Sequence, residues 1–154
     1  MHIDYLINHE SLIPELARMH FAEWGYLRAE ETLEGRTARL RSCCGRHAIP
    51  TVVVALSGST PCGSAMLVQH DMATRPDLTP WLAGVYVAPA CRERGYGSEL
   101  VGRIEEEAAS LGAPSLHLYT TNAESFYARR GWTVLERCEY LGERVTIMTK
   151  WLVV

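Results

Sequence analysis

The sequence predicts a single α/β domain of about six to seven short strands and about four helices in mixed order. Three observations carry this expectation. The chain has 154 residues, 47% of them hydrophobic, enough for one sizeable core and too few for two ordinary domains. Short β-branched runs are interleaved with apolar stripes at helical spacing. No repeat, low-complexity tract or Ser/Gly linker divides the series, so residues 1–154 read as one domain.

The first strand is expected around Ile3 to Asn8. Ile13, Leu16, Ala17, His20, Phe21 and Trp24 then recur on one helical face, and a shorter helix carries Leu33, Thr37, Leu40 and Cys44. The run Thr51 to Leu56, turn chemistry from Ser57 to Gly63, and Ala65 to Val68 together form a hairpin. Trp81 to Val87 is almost continuously apolar, which predicts a central strand buried on both faces. From Gly97, the residues Leu100, Val101, Ile104, Ala108 and Leu111 form a helical stripe that Gly112 and Pro114 stop. Ser115 to Tyr119 reads as a strand. A short helix follows from Asn122, a good cap type, to Arg130, with Gly131 as its C-terminal cap. Strands near Thr133 to Tyr140 and Val145 to Leu152 close the order.

A formal net charge of −3 with 21% charged residues attracts no polyanion, which argues against nucleic acid as a partner. The start MHIDYLINHE lacks a signal-peptide pattern, and no stretch reaches the roughly 18 apolar residues of a membrane span. A soluble, cytoplasmic protein with no membrane partner is expected. Cys43, Cys44, Cys62, Cys91 and Cys138 are odd in number and contain no C-x-x-C pair, so they read as buried or incidental thiols. Cys43, Cys44 and His47 cluster without the spacing or fourth ligand of a zinc site, and no metal is expected.

The stretch Val85 to Ser98 leads from a strand through a Gly-rich turn into an amphipathic helix. Free N–H groups and the helix dipole favour anions at such a start, and glycines let the backbone approach a pyrophosphate. Arg92 and Arg94 add charge-assisted donors. The Walker pattern is absent, and the spacing supplies two of the three dinucleotide-fingerprint glycines.

Arg92-Glu93-Arg94-Gly95-Tyr96-Gly97 resembles the Arg/Gln-x-x-Gly-x-Gly/Ala signature of the GNAT acetyltransferase superfamily. Asn122-Ala123-Glu124-Ser125-Phe126-Tyr127, running on to Gly131-Trp132, is similar to that family's second segment, with Trp132 where Phe is usual. The resemblance covers roughly residues 50–152. It implies a central mixed, mostly antiparallel sheet and acetyl-CoA as co-substrate. It further implies Val85, Tyr86 and Val87 along the pantetheine arm, Arg92, Glu93, Arg94, Gly95, Tyr96, Gly97 and Ser98 as the pyrophosphate cradle, and Asn122 near the pantetheine.

By the same resemblance Tyr127 protonates the departing CoA sulfur, and the Val87 amide polarises the thioester carbonyl. The implied reaction is direct acetyl transfer in a ternary complex to a primary amine, on a small molecule or peptide. The resemblance admits a homodimer. Many relatives carry a glutamate on the strand that here reads Trp81-Leu82-Ala83-Gly84, so the general base is open among Glu23, His70, Asp71 and Asp77. Trp24, Tyr26 and Trp81 with Glu23, Asp71 and Asp77 are expected either to form an aromatic, acidic mouth for the amine between the first two helices and residues 71–80, or to divide into core tryptophans and solvated carboxylates. The alternatives are a non-catalytic acyl-CoA-binding sensor or interaction module and a cysteine hydrolase built on Cys91 or Cys138, for which no local motif exists.

Overall fold

Alternation along Thr51–Ser57 sets the layering of the fold. In the computed structural model, which describes residues 1–153, this strand (β2) sends Val53 and Ala55 to one face and Val52, Val54 and Leu56 to the other. The first face is covered by helix α3 (Tyr96–Ser110), whose Leu100, Val101, Ile104 and Ala108 form its buried stripe. The second is covered by α1 (Ile13–Trp24) and α2 (Leu33–Ser42) through Ile13, Leu16, Ala17 and Leu40. The Thr32 hydroxyl starts α2 by accepting from the Gly35 amide at 3.0 Å.

Among the described residues the sheet has seven strands in the order β1-β2-β3-β4-β5-β7-β6. They are β1 (His2–Tyr5), β2, β3 (Thr60–Val68), β4 (Trp81–Val87), β5 (Ser115–Thr120), β6 (Thr133–Tyr140) and β7 (Glu143–Trp151), with α4 (Glu124–Ala128) between β5 and β6. Every neighbouring pair is antiparallel except β4 and β5, which α3 connects. The mixed, mostly antiparallel sheet with four α-helices agrees with the expected class. No helix among the described residues is long and apolar enough to cross a membrane.

Four local expectations are corrected. The hairpin turn is only Gly58-Ser59, and Pro61 joins β3 beside a register shift at Ala55/Leu56, where a residue without an N–H interrupts no regular ladder. β1 stops at Tyr5 and a 3₁₀ segment, Leu6–Leu12, follows. The short helix spans Glu124–Ala128, with Ala123 as its N-cap. Thr120 Oγ1 accepts from the Ala123 amide at 3.0 Å, so Asn122 is an exposed turn residue and caps nothing. Finally, β2 is the strand buried on both faces along most of its length. β4 is buried at Trp81 and Leu82 but only half-buried from Ala83 to Val87, because its neighbour leaves it there.

Candidate active site

β4 and β5 share a single register pair, Trp81 with His117, although β4 continues to Val87 and β5 to Thr120. Beyond that pair the centre of the sheet opens. A bulge in β4 accompanies the opening: Ser64 faces Tyr86 while Met66 faces Ala83, so β4 holds one extra residue there. Gly84 sits in the bulge at φ 58°, and a Cβ on it would stand 2.8 Å from Met66 Sδ. Glycine is needed for both the conformation and the space. Further along, the Ala88 amide donates to the Cys62 carbonyl at 2.8 Å. Antiparallel alternation therefore turns the Val87 amide toward the open β5 side.

The chain then enters a 3₁₀ turn at Pro89–Cys91 and passes through two positive-φ residues, Glu93 at 64° and Gly95 at 83°. Gly95 is the N-cap of α3 and supplies no side-chain cap. The first amide bonded back is that of Glu99, to the Gly95 carbonyl at 3.2 Å, which leaves the amides of Tyr96, Gly97 and Ser98 at the positive end of a 15-residue helix. Arg92 and Arg94 are exposed beside them, and Arg92 Nε donates to the Val87 carbonyl at 3.0 Å. The Tyr96 ring is buried in the core, so this residue offers the turn only its backbone. A Cβ on Gly97 would lie 3.5 Å from Phe126 Cζ and 3.8 Å from Val87 Cγ2, between the end of β4 and α4.

Tyr127 packs from α4 against Phe126 and Trp132 with ring centroids 5.1 and 6.0 Å away. The residue is 7% exposed, and its hydroxyl has no hydrogen-bond partner among the described residues, yet it is not one of the fully sealed orphan atoms. Burial pushes its pKa up to about 12, so it is a neutral donor at physiological pH.

On the opposite sheet face, Tyr86 turns toward α1, its ring 6.0 Å from His20 and 6.0 Å from Trp24. The Ser64 hydroxyl gives its one proton to the Gly84 carbonyl at 3.0 Å, so it accepts from His20 Nε2–H at 2.8 Å. His20 Nδ1 is then the bare nitrogen, buried and without a partner. Burial first, then Arg36 and Arg39, pull the His20 pKa to about 3, so the ring stays neutral. This His20–Ser64–Gly84 chain ties α1 to the β4 bulge. In the sequence its only signals are a glycine inside an apolar strand and a histidine on an apolar stripe, which do not point to each other.

The expected acceptor mouth is redrawn. Trp81 is fully buried, with its indole N–H donating to the Leu78 carbonyl at 2.7 Å, and belongs to the core. Asp77 is engaged by Arg75 through two bonds of 3.1 and 3.0 Å. Tyr26 and Glu23 are exposed, while Trp24 is half-buried against His20. Asp71 is half-buried and makes no hydrogen bond or ion pair among the described residues. Burial pushes its pKa up to about 6 against the opposing pull of Arg28, Arg39 and Arg36. Burial first, then the field of Asp71, also raises the pKa of Tyr119 on β5, whose ring packs against Trp81 and Tyr140. Among the described residues no group of three or more His, Cys, Asp and Glu is placed to hold a metal ion.

The Acetyltransferase (GNAT) family model matches residues 12–132. None of the curated proteins compared matches the chain. Among solved structures, an aminoglycoside 6'-N-acetyltransferase complexed with coenzyme A superposes with a TM-score of 0.79 at 14% identity, covering 100% of this chain and 98% of that one. A ribosomal-protein-alanine N-acetyltransferase from Brucella melitensis gives 0.76 at 20% identity, with 99% and 100% covered. A Salmonella typhimurium protein determined with its cofactor acetyl-CoA gives 0.73 at 19%, with 100% and 95% covered. At these identities the likeness is one of fold.

Proposed function

Because the chain belongs to the acetyltransferase (GNAT) family, and is thus an acyltransferase with acetyl-CoA as co-substrate, we propose that it moves the acetyl group directly to a primary amine on a small molecule or peptide. The observation that carries this reading is the opening between β4 and β5 with an uncapped helix start beside it. The residues present fit the co-substrate. Tyr96, Gly97 and Ser98 offer three amides to a pyrophosphate, with Arg92 and Arg94 adjacent. The bare carbon of Gly97 keeps the passage past Val87 and Phe126 open.

In this reading Val85 and Val87 align the pantetheine arm, Tyr86 contributes backbone to it, and Asn122 stands near its far side. The Val87 amide stabilises charge on the thioester oxygen. Asp71 takes a proton from the incoming ammonium, which must be neutral to attack. The C–N bond forms as the C–S bond breaks, and Tyr127 gives its proton to sulfur. Of the two protons that the ammonium nitrogen loses, one ends on sulfur by way of Tyr127 and one in solvent. His20 is too weak a base for this work and acts by holding Gly84.

Thiol release from acetyl-CoA should be measured over polyamines, aminoglycosides, amino-acid amides and short peptides. Amine-dependent release of CoA with mass-detected acetyl product supports transfer. Tight CoA binding with no release across all these classes would support the sensor reading instead.

Asp71→Asn should lower kcat/KM for the amine by about tenfold or more, with CoA affinity unchanged. The parent's activity should fall below about pH 6, as Asp71 protonates. The variant should lack that limb. Asp71 has a folded-state pKa above its ordinary value, so its carboxylate form costs stability once pH exceeds the ordinary range. The melting temperature of Asp71→Asn at neutral pH should therefore be equal or higher. An acid limb retained in the variant would remove Asp71 from the role.

A further inference from the structure

Cys62 opens β3's regular course and Cys91 ends the 3₁₀ turn before the cradle, 29 residues later. Both are free thiols, and their sulfurs are in direct contact, 2.6 Å apart. The backbones are already joined: the Ala88 amide donates to the Cys62 carbonyl, and the Cys91 amide donates to the Ala88 carbonyl, both at 2.8 Å. Both side chains belong to the core beside Tyr96 and Leu100. Neither has a place in acetyl transfer. Cys43, Cys44 and Cys138 show no such sulfur contact among the described residues.

We propose that Cys62 and Cys91 form a modification site at which hydrogen peroxide makes a reversible disulfide, tying the turn before the CoA cradle to β3. Cys91 is 8% exposed and Cys62 is 1% exposed, and Cys91 is flanked by exposed Ala90 and Arg92, so a small peroxide reaches it first. The Cys91 thiolate attacks one peroxide oxygen, the O–O bond breaks, and a sulfenic acid forms with release of one water. Cys62 sulfur then displaces the hydroxyl as a second water, giving the S–S bond. Two thiols are oxidised, one peroxide is reduced, and both thiol protons leave in water. The hydrogen bond to Cys62, and then burial, hold the Cys91 thiol above its usual range, so the reaction should quicken as pH rises. Because the sulfurs already face each other, the bond closes on the native turn and leaves the cradle in place. This inference goes beyond the acyltransferase reading, and its primary readout needs no bound CoA.

The test uses the intact reduced chain exposed to hydrogen peroxide, denatured in acid, alkylated and mapped by mass spectrometry without reductant. A linked Cys62–Cys91 peptide, alkylated Cys43, Cys44 and Cys138, and reversal by dithiothreitol are expected. The melting temperature of the oxidised chain should rise by about 5–10 °C. Cys62→Ser and Cys91→Ser, each compared with its own reduced form, should lose that rise. Calorimetry with CoA should give affinities within about threefold for the oxidised and reduced chains. Alkylated Cys62 and Cys91 after oxidation, separate sulfinic acids at the two positions, or a tenfold loss of CoA affinity on linkage would each overturn the proposal.

Discussion

Gly95→Val should lower CoA affinity by about 100-fold or more while leaving the chain folded. Gly95 holds φ 83° at the N-cap of α3, and a Cβ there would meet no atom within 4 Å, so the penalty is conformational rather than steric. An L-residue in the left-handed region costs about 1–2 kcal/mol, and a β-branched one more. The cheapest escape is to rotate the turn, which swings the amides of residues 96–98 away from their common target. Losing two charge-assisted amide bonds to a pyrophosphate predicts a fall in affinity of about 100-fold or more. Gly97→Val reaches the same end differently: its backbone is helical, its Cβ would sit in ordinary contact with Phe126 and Val87, and the added methyls would enter the passage. Gly97→Ala should therefore keep most of the affinity that Gly97→Val loses. Calorimetric titration with CoA, alongside circular dichroism of each variant, checks both. Parent-like binding by Gly95→Val would move the pyrophosphate elsewhere.

The Gly-rich turn and the helix start after it were legible because their determinants are local. A strand, two glycines two residues apart and a helical stripe specify the turn whatever the rest of the fold does. The opening beside it was not legible, since it arises from one bulge at Gly84 and from β5 leaving β4 after His117. An apolar strand looks the same in sequence whether a neighbour or a ligand lies alongside it. Trp81 shows the same limit from the other side: an aromatic at a strand start suits a binding mouth or a core, and only the loop folding Leu78 over its indole decides. Asp71 and Asp77 are separated by contact alone. Arg75 lies two residues from Asp77 and takes it, while Asp71 is half-buried with no hydrogen bond or ion pair among the described residues. Residues that became a chain across elements, such as His20, Ser64 and Gly84, carry no spacing signal because they come from α1, β3 and β4.

The second large effect is expected at Tyr127, where replacement by phenylalanine removes one oxygen and nothing else. Its ring is held by Phe126 and Trp132, and phenylalanine keeps that packing. The hydroxyl has no hydrogen-bond partner among the described residues, so its loss should leave no orphaned group and shift the melting temperature by little. A core role therefore predicts an almost silent substitution. A proton donor to the leaving sulfur predicts a fall in kcat of about 10²-fold, or about 2.7 kcal/mol of barrier, with CoA affinity and amine KM close to the parent's. The pH profile separates the readings further. Because burial sets the Tyr127 pKa at about 12, the parent should show no basic limb from this group below about pH 11, and the deficit of Tyr127→Phe should be nearly constant between about pH 7 and pH 10. Steady-state rates across that range with an active amine make the comparison, and an unchanged kcat would return Tyr127 to the core.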